Sequence, residues 1–150
     1  MRRRSIMKLL ALAPVALLAQ REPLLAQQEP LGNVFLSNGR KEPFVRISGI
    51  AGWPDRLHYF RDLTELKEVL PKESEAPKVP FTEIARIDFL EATPAETKAF
   101  GGYWIRKGRI ELKGGKKLEN VFIGANVDLK GEAGQDWNLY SSKPKAVEFK

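Results

Sequence analysis

Two stretches of this chain follow one pattern of apolar residues, glycines and basic residues, and that pattern limits the possible folds more than any other feature. The first is GNVFLSNGRKEPFVRIS (residues 32–48), and the second is GRIELKGGKKLENVFIG (residues 108–124). In each stretch, apolar and polar residues alternate on both sides of a glycine-containing turn. Alternation with a period of two is typical of a half-buried strand, and Asn-Gly and Gly-Gly suit tight hairpin turns. Each stretch therefore predicts a β-hairpin.

A shorter phrase also occurs twice, as RIDFL at residues 86–90 and as AVEFK at residues 146–150. We therefore predict a mainly β fold, a compact barrel or sandwich built from two sequence-similar hairpin-plus-strand halves, with one short inserted helix. Half one is expected at about residues 32–91, a linker at about 92–107 and half two at about 108–150. Two β subdomains in tandem, or chance similarity between two common hairpins, are the alternatives. Closure is favoured because each half has too few strands to bury its own apolar face.

The second hairpin allows two turn geometries. A two-residue turn places Leu112 on the same face as Val121. A three-residue loop instead pairs Leu112 with Leu118, and Val121 then reaches the core face only through a bulge. In the first hairpin, Pro43 lacks the N–H of a ladder hydrogen bond, which predicts a bulge or an edge strand there.

One helix is predicted in the middle of half one. Asp62 and Glu65 have the spacing of a capping box, an apolar stripe follows, and Pro71 blocks continuation. These signals place the helix at about Leu63 to Leu70.

Weaker helix signals lie between the two halves. Thr93 is a candidate N-cap, Pro94 suits the first helical position, Glu96 completes a capping box and Gly101 is a stop signal. They predict one turn of helix or an ordered linker.

The N-terminus has the pattern of an export signal. Three arginines and a lysine within MRRRSIMK precede LLALAPVALLA, an uncharged apolar run from Leu9 to Ala19. This run is shorter than the roughly 20 residues that span a bilayer, and a basic region followed by a short apolar region is typical of a secretory signal peptide. A buried N-terminal helix is the alternative. We predict a signal peptide at residues 1–26, with cleavage after Ala26 or after Ala19, and a single β domain at residues 27–150 without a transmembrane segment.

The predicted cleavage changes the charge of the protein. The whole chain has a formal net charge of +6. Removal of residues 1–26 takes away five basic residues and one acidic residue, which leaves 20 positive and 18 negative side chains. Because the mature chain is then nearly neutral, we expect no nucleic-acid partner. The chain also has no cysteine, so an exported protein of this kind fits the bacterial periplasm or the outside medium better than a disulfide-stapled secreted domain.

No motif for catalysis or for a cofactor is found. No serine lies in a Gly-x-Ser-x-Gly elbow, and the glycine–lysine run at residues 114–117 lacks the other residues of a phosphate loop. We therefore predict no catalytic residue, no cofactor and no metal site, and a non-catalytic domain is favoured over an enzyme.

Two weaker patterns have the residue types of a metal site and of a hydrolase site. The single histidine, His58, lies near Asp55 and Asp62, but three ligands at these spacings share a face only on a helix, and the segment reads equally well as a strand. Asp88 and Glu148 occupy matched positions in the repeated segments RIDFL and AVEFK, as a glycosidase carboxylate pair would require. They alternate with apolar residues, however, which is typical of a solvated strand face.

Basic and aromatic residues form the candidate binding surface. Basic residues lie at both hairpin turns, where they either contact an anionic partner or discourage strand-to-strand aggregation. Tryptophans lie in loops and at strand starts, where they either stack on a ligand or close the ends of a small core. The candidate residues are Arg40, Lys41, Lys113, Lys116, Lys117, Trp53, Trp104 and Trp137.

These observations order the possible functions. The first is an exported non-catalytic β domain that binds a protein or a cell-envelope component. The second is a binding module for a carbohydrate or an anionic polymer. A hydrolase that uses Asp88 or Glu148 is the least favoured.

Overall fold

A computed structural model describes residues 28–150, in which ten strands form one antiparallel sheet beside two α-helices. The predicted signal peptide at residues 1–26 lies outside the described residues. The strands are β1 (Gly32–Phe35), β2 (Lys41–Ser48), β3 (Arg56–Phe60), β4 (Lys78–Pro80), β5 (Ile84–Phe89), β6 (Ile105–Leu112), β7 (Lys117–Gly124), β8 (Asp128–Gly131), β9 (Asp136–Asn138) and β10 (Ala146–Phe149). The prediction of a mainly β fold is confirmed.

The sheet is open, which corrects the expectation of closure into a barrel. Its strand order is β4-β3-β7-β6-β5-β10-β1-β2-β8-β9, so that β4 and β9 are the two ends. Each end strand has only three residues and offers few backbone groups for pairing. Val79 of β4, Ile87 of β5 and Leu129 of β8 lie in one buried cluster although their strands are far apart in the sheet. The sheet therefore curls around this cluster. This cluster is the main core.

Both hairpins turn through a three-residue loop. The backbone N–H of Leu36 donates to the carbonyl of Arg40 in the first hairpin, and that of Leu112 donates to the carbonyl of Lys116 in the second, each at 2.8 Å. The third loop residue is a glycine with positive φ in both cases, 91° at Gly39 and 97° at Gly115, as such a loop requires.

The second hairpin contains the bulge that the three-residue alternative required. Its register shifts between Gly108 and Ile110, and Asn120 on the facing strand has a φ of 52°. The three-residue loop places Leu118 opposite Ile110 rather than Leu112, and after the bulge Val121 is buried in the main core.

Pro43 is accommodated inside the sheet. Strand β2 lies between β1 and β8 and is therefore not an edge strand. Pro43 faces Asn33 of β1, and pairing with β8 begins only at Phe44, with a bulge between Phe44 and Arg46. The missing N–H therefore precedes the ladder with β8, and the bulge lies beside the proline.

The helix predicted in half one is confirmed as α1 (Leu63–Val69). The Asp62 side chain accepts a hydrogen bond from the backbone N–H of Glu65 at 2.8 Å and so caps its first turn. Two short 3₁₀ segments, Leu70–Glu75 and Phe81–Glu83, follow it on either side of β4.

The predicted linker contains a second helix, α2 (Pro94–Phe100), which confirms the helix alternative from Thr93 to Gly101 and corrects the expected number of helices from one to two among the described residues. Thr93 and Glu96 form a complete capping box, which satisfies the backbone donors of the first turn. Phe100 then anchors the helix against Phe122 of β7, with 5.9 Å between the ring centroids. The last residues of the predicted linker, 105–107, belong to strand β6.

A second apolar cluster lies beneath the two helices. It joins the helices to β3, β6 and β7 and contains Phe60, Leu66, Leu70, Ala76, Phe100, Ile105 and Phe122. Within residues 28–150, no helix has both the length and the apolar character needed to cross a bilayer.

Candidate functional site

The two basic hairpin turns lie on opposite sides of the sheet along the strand direction. The antiparallel pairings β1–β10, β10–β5 and β5–β6 reverse direction three times, so β1 and β6 run in opposite directions and their last residues lie on opposite sides. One side carries Arg40 and Lys41, and the other carries Lys113, Lys116 and Lys117. The fold therefore presents two separate basic patches.

Several of these basic side chains already have partners. Arg40 forms an ion pair with Glu42, and the ammonium of Lys41 lies 5.7 Å from the ring centroid of Phe35. The ammonium of Lys113 donates to the carbonyl oxygen of Lys150 at 2.6 Å. Lys116 and Lys117 are exposed.

The three tryptophans are separated into two environments. Trp137 of β9 pairs with Leu129 and packs against the main core. Trp53 is half-buried, with its ring centroid 6.2 Å from that of His58. Trp104 is 59% exposed and lines a cleft that also contains His58. Trp53 thus packs on His58, Trp104 lines the cleft that contains His58, and Trp137 lies apart.

We call this feature the His58 cleft and define it by His58, Glu73, Tyr103, Trp104 and Asn126. Its volume is about 200 Å³, and the side chains of Ile50 and Ile105 complete its walls. An apolar pocket with a few convergent polar groups is the usual form of a ligand site.

His58 is held at the bottom of the cleft by strand pairing and aromatic contacts. It lies in β3 and is 3% exposed. Its ring meets those of Trp53 and Phe60 edge to face, with 5.8 Å between the His58 and Phe60 centroids. A Cβ on Gly124 of β7 would lie within 2.6 Å of Nδ1 and closer still to Cε1 and Nε2, so only glycine leaves room for the imidazole.

The Nε2 atom of His58 has no hydrogen-bond partner. It is the one fully buried side-chain nitrogen or oxygen without a partner in the described part of the chain. The carboxylate of Glu73 lies close by, with its Oε2 3.5 Å from Nε2. An unpaired buried polar atom costs about 1–3 kcal/mol, and such atoms in native proteins often mark a functional site.

The charge state of His58 follows from its surroundings. Burial, and to a smaller extent the nearby Lys78 ammonium, lower the pKa of His58 from 6.5 to about 4. The imidazole is therefore neutral at pH 7 despite the Glu73 carboxylate. Lys78 is itself held in place, because its ammonium donates to the carbonyls of Ser74 at 2.7 Å and Ala76 at 3.0 Å and lies 4.4 Å from the centroid of the Trp53 ring.

The mouth of the cleft is built by the connection between α2 and β6. The backbone N–H of Tyr103 donates to the carbonyl of Phe100 at 3.1 Å, and the carbonyl of Trp104 accepts from Ala125 at 2.8 Å. Tyr103 is 43% exposed and Trp104 is 59% exposed. The backbone of this connection is thus held by hydrogen bonds, and its two large aromatic side chains are left open to solvent.

Asn126 contributes an amide to the opposite wall. Its Oδ1 accepts a hydrogen bond from Nδ2 of Asn138 at 3.2 Å. This contact orients the amide and leaves the Asn126 NH₂ group as the donor available to a ligand.

Sequence reasoning missed two members of this site, Glu73 and Asn126. It weighed His58 together with Asp55 and Asp62, whereas the carboxylate that reaches the imidazole is Glu73, in the 3₁₀ segment after α1. Within residues 28–150, no three potential metal-ligating side chains lie together. No local spacing links residues 58, 73 and 126, because strand pairing and the α1 connection bring them together.

The carboxylates weighed for hydrolysis lie elsewhere, on the paired strands β5 and β10. Asp88 accepts from Arg86 at 2.9 Å and lies 3.4 Å from Arg109. Glu148 lies 3.5 Å from the same Arg86. Both carboxylates are thus neutralised by ion pairs along the sheet.

A second cavity, of about 400 Å³, contains Arg106. The Nη1 group of Arg106 donates to the carbonyls of Leu139 at 3.0 Å and Pro144 at 2.7 Å, and its guanidinium lies 3.9 Å from the centroid of the Phe89 ring. Burial lowers the pKa of Arg106 to about 10, so it stays charged at neutral pH. These contacts tie the segment before β10 to β6, which is a structural role.

Comparison with known proteins adds no family. No protein-family model matches the chain, and no curated protein matches it as a relative.

Proposed function

We propose that this chain is an exported, non-catalytic β domain that binds a component of the cell envelope through the His58 cleft. The observation that carries the proposal is the pairing of exposed aromatic side chains with an unsatisfied buried polar atom. Trp104 is 59% exposed at the mouth, and Nε2 of His58 lacks a partner at the bottom. Both features cost free energy in the unbound protein, and a ligand would remove both costs.

The chemistry of the cleft supports binding rather than catalysis. Its lining contains one carboxylate, Glu73, and one neutral imidazole, His58. Serine, threonine, cysteine and lysine are missing from the lining formed by the described residues. Glycoside hydrolysis by the usual carboxylate pair needs two carboxylates, and this lining has one.

Export into the periplasm or the medium of a bacterium belongs to the same proposal. It is motivated by the basic and apolar pattern of residues 1–26 and by the lack of cysteine. N-terminal sequencing of the protein after secretion would test it, with cleavage after Ala26 or Ala19 expected and an intact N-terminus opposing it.

We also propose that the domain consists of two related halves. The strand order supports this, since β5 and β10 occupy the centre and the β6–β7 and β1–β2 hairpins flank them. Strand β3 follows β2 in the chain but pairs with β7, and β8 follows β7 but pairs with β2. Val34 and Ile110, which align between the two phrases, are both fully buried in the main core.

An anionic polymer is the second candidate ligand. It is favoured by the β6–β7 turn, where Lys113, Lys116 and Lys117 lie close together in sequence. Such binding would weaken steeply with added salt, whereas binding in the His58 cleft would not.

A capture experiment tests the proposed function. The purified chain, immobilised and incubated with bacterial envelope extract, is expected to retain material that Trp104→Ala does not retain. Leu31→Ala is the matched control, because Leu31 is a 42% exposed apolar residue that does not line the cleft. Equal retention by the Trp104→Ala variant, or retention by no variant, would contradict the proposal.

A further inference from the structure

We infer that the His58 cleft binds a neutral sugar ring, with His58 and Glu73 contacting its hydroxyl groups and Trp104 contacting its apolar face. The inference rests on the proposed function and names the chemical class of its ligand. It is argued from three properties of the cleft: its hydrogen-bonding groups, its charge balance and its size.

The hydrogen-bonding groups call for a partner that both donates and accepts. Nε2 of His58 is unpaired, and in a neutral imidazole this atom is either a donor or an acceptor. The carboxylate of Glu73, 3.5 Å away, only accepts. A hydroxyl group suits both, because it can donate its proton to the Glu73 carboxylate and accept a hydrogen bond from Nε2 of His58. Neighbouring hydroxyls on a sugar ring supply this pattern twice.

The charge balance disfavours charged ligands. The Glu73 carboxylate lies in the lining and repels carboxylates and phosphates. The Lys78 ammonium is fixed beside Trp53, close enough to lower the pKa of His58, and its repulsion of an amine offsets the attraction of Glu73. A neutral polar molecule avoids both repulsions.

The size and the aromatic mouth narrow the choice further. A volume of about 200 Å³ is below the roughly 300–1,000 Å³ of a pocket for drug-sized ligands, so the cleft holds a ligand of about one ring. Tyr103 and Trp104 present flat apolar surface at the opening. A sugar ring has one apolar face of C–H groups and a polar rim, and it therefore matches an aromatic surface above a polar floor. Asn126 adds an amide donor for the rim.

The experiment measures binding by intrinsic tryptophan fluorescence and calorimetry with sugars that share one ring. Glucose, galactose, mannose and N-acetylglucosamine are the neutral probes, and glucuronic acid and glucosamine are their charged counterparts. We expect saturable binding of at least one neutral sugar and binding at least about tenfold weaker for both charged counterparts.

Variants of the full chain connect that binding to the cleft. Trp104→Ala is expected to abolish it, and Glu73→Gln to weaken it about tenfold, as expected for the loss of a charge-assisted hydrogen bond. Glu75→Gln is the matched control, because Glu75 lies in the same 3₁₀ segment and is exposed. Glu73 is a partly exposed residue, so its variant tests the inference without the folding risk of replacing buried His58.

The outcomes separate the inference from the proposed function. Tighter binding of glucuronic acid or glucosamine, or equal binding by the Glu73→Gln and wild-type chains, would overturn the inference. Retention of envelope material that depends on Trp104 but is not displaced by any neutral probe would also overturn it, while leaving the proposed function intact. Equal retention by the Trp104→Ala and wild-type chains, or retention by neither, would instead reject the proposed function.

Discussion

Gly124 of β7 lies directly against the imidazole ring of His58 on the neighbouring strand β3. A side chain at position 124 would occupy the space of the ring, since a Cβ there would lie within 2.6 Å of Nδ1 and nearer to two other ring atoms. The pairs Phe60–Phe122 and Tyr59–Ile123 align the two strands and bring position 58 opposite position 124. The depth of the cleft therefore depends on a glycine that is distant in sequence and lies in the other half of the chain.

We expect Gly124→Ala to destabilise the fold and to displace His58. The added methyl group overpacks a buried site, which typically costs 1–3 kcal/mol, or about 2 kcal/mol here. Urea denaturation followed by fluorescence measures the change. Gly114→Ala is the control, because a Cβ at Gly114 meets no atom within 4 Å and its change should stay within about 0.5 kcal/mol.

A double-mutant cycle identifies the cause of that loss. If the methyl group clashes with the imidazole, Gly124→Ala should cost much less in a His58→Ala background. Additive effects of the two substitutions would contradict the proposed contact.

We expect stability to fall as the pH is lowered from 6.5 towards 4, through His58. Its pKa is about 4 in the folded chain and 6.5 when unperturbed, so below pH 6.5 the unfolded chain binds a proton that the folded chain excludes. The stabilisation is complete above pH 6.5 and is lost progressively until about pH 4, a loss of about 3 kcal/mol for a shift of this size. Glu73 and Lys78 are the charged groups near the ring, and the Lys78 ammonium adds to the effect of burial in lowering the pKa of His58.

Two measurements check this pH dependence. Because His58 is the single histidine of the chain, its ring protons give an unambiguous NMR titration, with a midpoint near pH 4 expected. A His58→Gln variant should lose less stability than the wild type between pH 6.5 and 4, since carboxylates titrate in both. A midpoint near 6.5 would show that the ring is solvated, contrary to its burial.

Local signals predicted the elements of this fold, whereas long-range pairing built the site. The loops ending at Gly39 and Gly115 and the Asp62 cap depend on residues within a few positions of each other, so they could be read from the sequence. The β3–β7 pairing joins strands from different halves of the chain, and no local pattern specifies it. For this reason, Glu73 and Gly124 could not be assigned to His58 beforehand.

Whether the sheet is open or closed could likewise not be predicted from local sequence patterns. Alternation in the hairpins predicts strands with one buried face but does not state how the two ends of the sheet meet. The length of the second helix could not be predicted from the sequence for a related reason. Its capping box at Thr93 was visible, but the burial of Phe100 against Phe122 that supports a seven-residue helix is a tertiary contact.

We expect Thr93→Ala to destabilise the fold by about 1 kcal/mol, the usual cost of losing an N-cap. The Thr93 hydroxyl accepts from the Glu96 N–H at 3.1 Å, and the Glu96 carboxylate accepts from the Thr93 N–H at 2.8 Å. Thermal unfolding measures the loss. Thr97→Ala makes the same substitution inside α2 at an exposed position, where higher helix propensity should leave stability unchanged or slightly raised. Equal losses at positions 93 and 97 would argue against the cap.

We expect Arg106→Met to destabilise the fold by about 2 kcal/mol, because two carbonyl groups lose a charged donor and Phe89 loses its stacked guanidinium. The carbonyls of Leu139 and Pro144 accept from Nη1 in the wild type, and methionine keeps much of the side-chain volume without the donors. Arg106→Lys should recover only part of the loss, since one ammonium cannot reproduce a planar guanidinium. Urea denaturation of the three chains measures these differences.

The control for Arg106 is Arg56→Met. The Arg56 side chain is 54% exposed, its only ion pair within residues 28–150 is with Asp55 at 3.9 Å, and less than about 0.5 kcal/mol should be lost. Hydrogen exchange at Lys145, whose N–H donates to the carbonyl of Phe35 at 2.7 Å, should accelerate in Arg106→Met alone. Unchanged exchange there would mean that Arg106 does not hold the segment leading into β10.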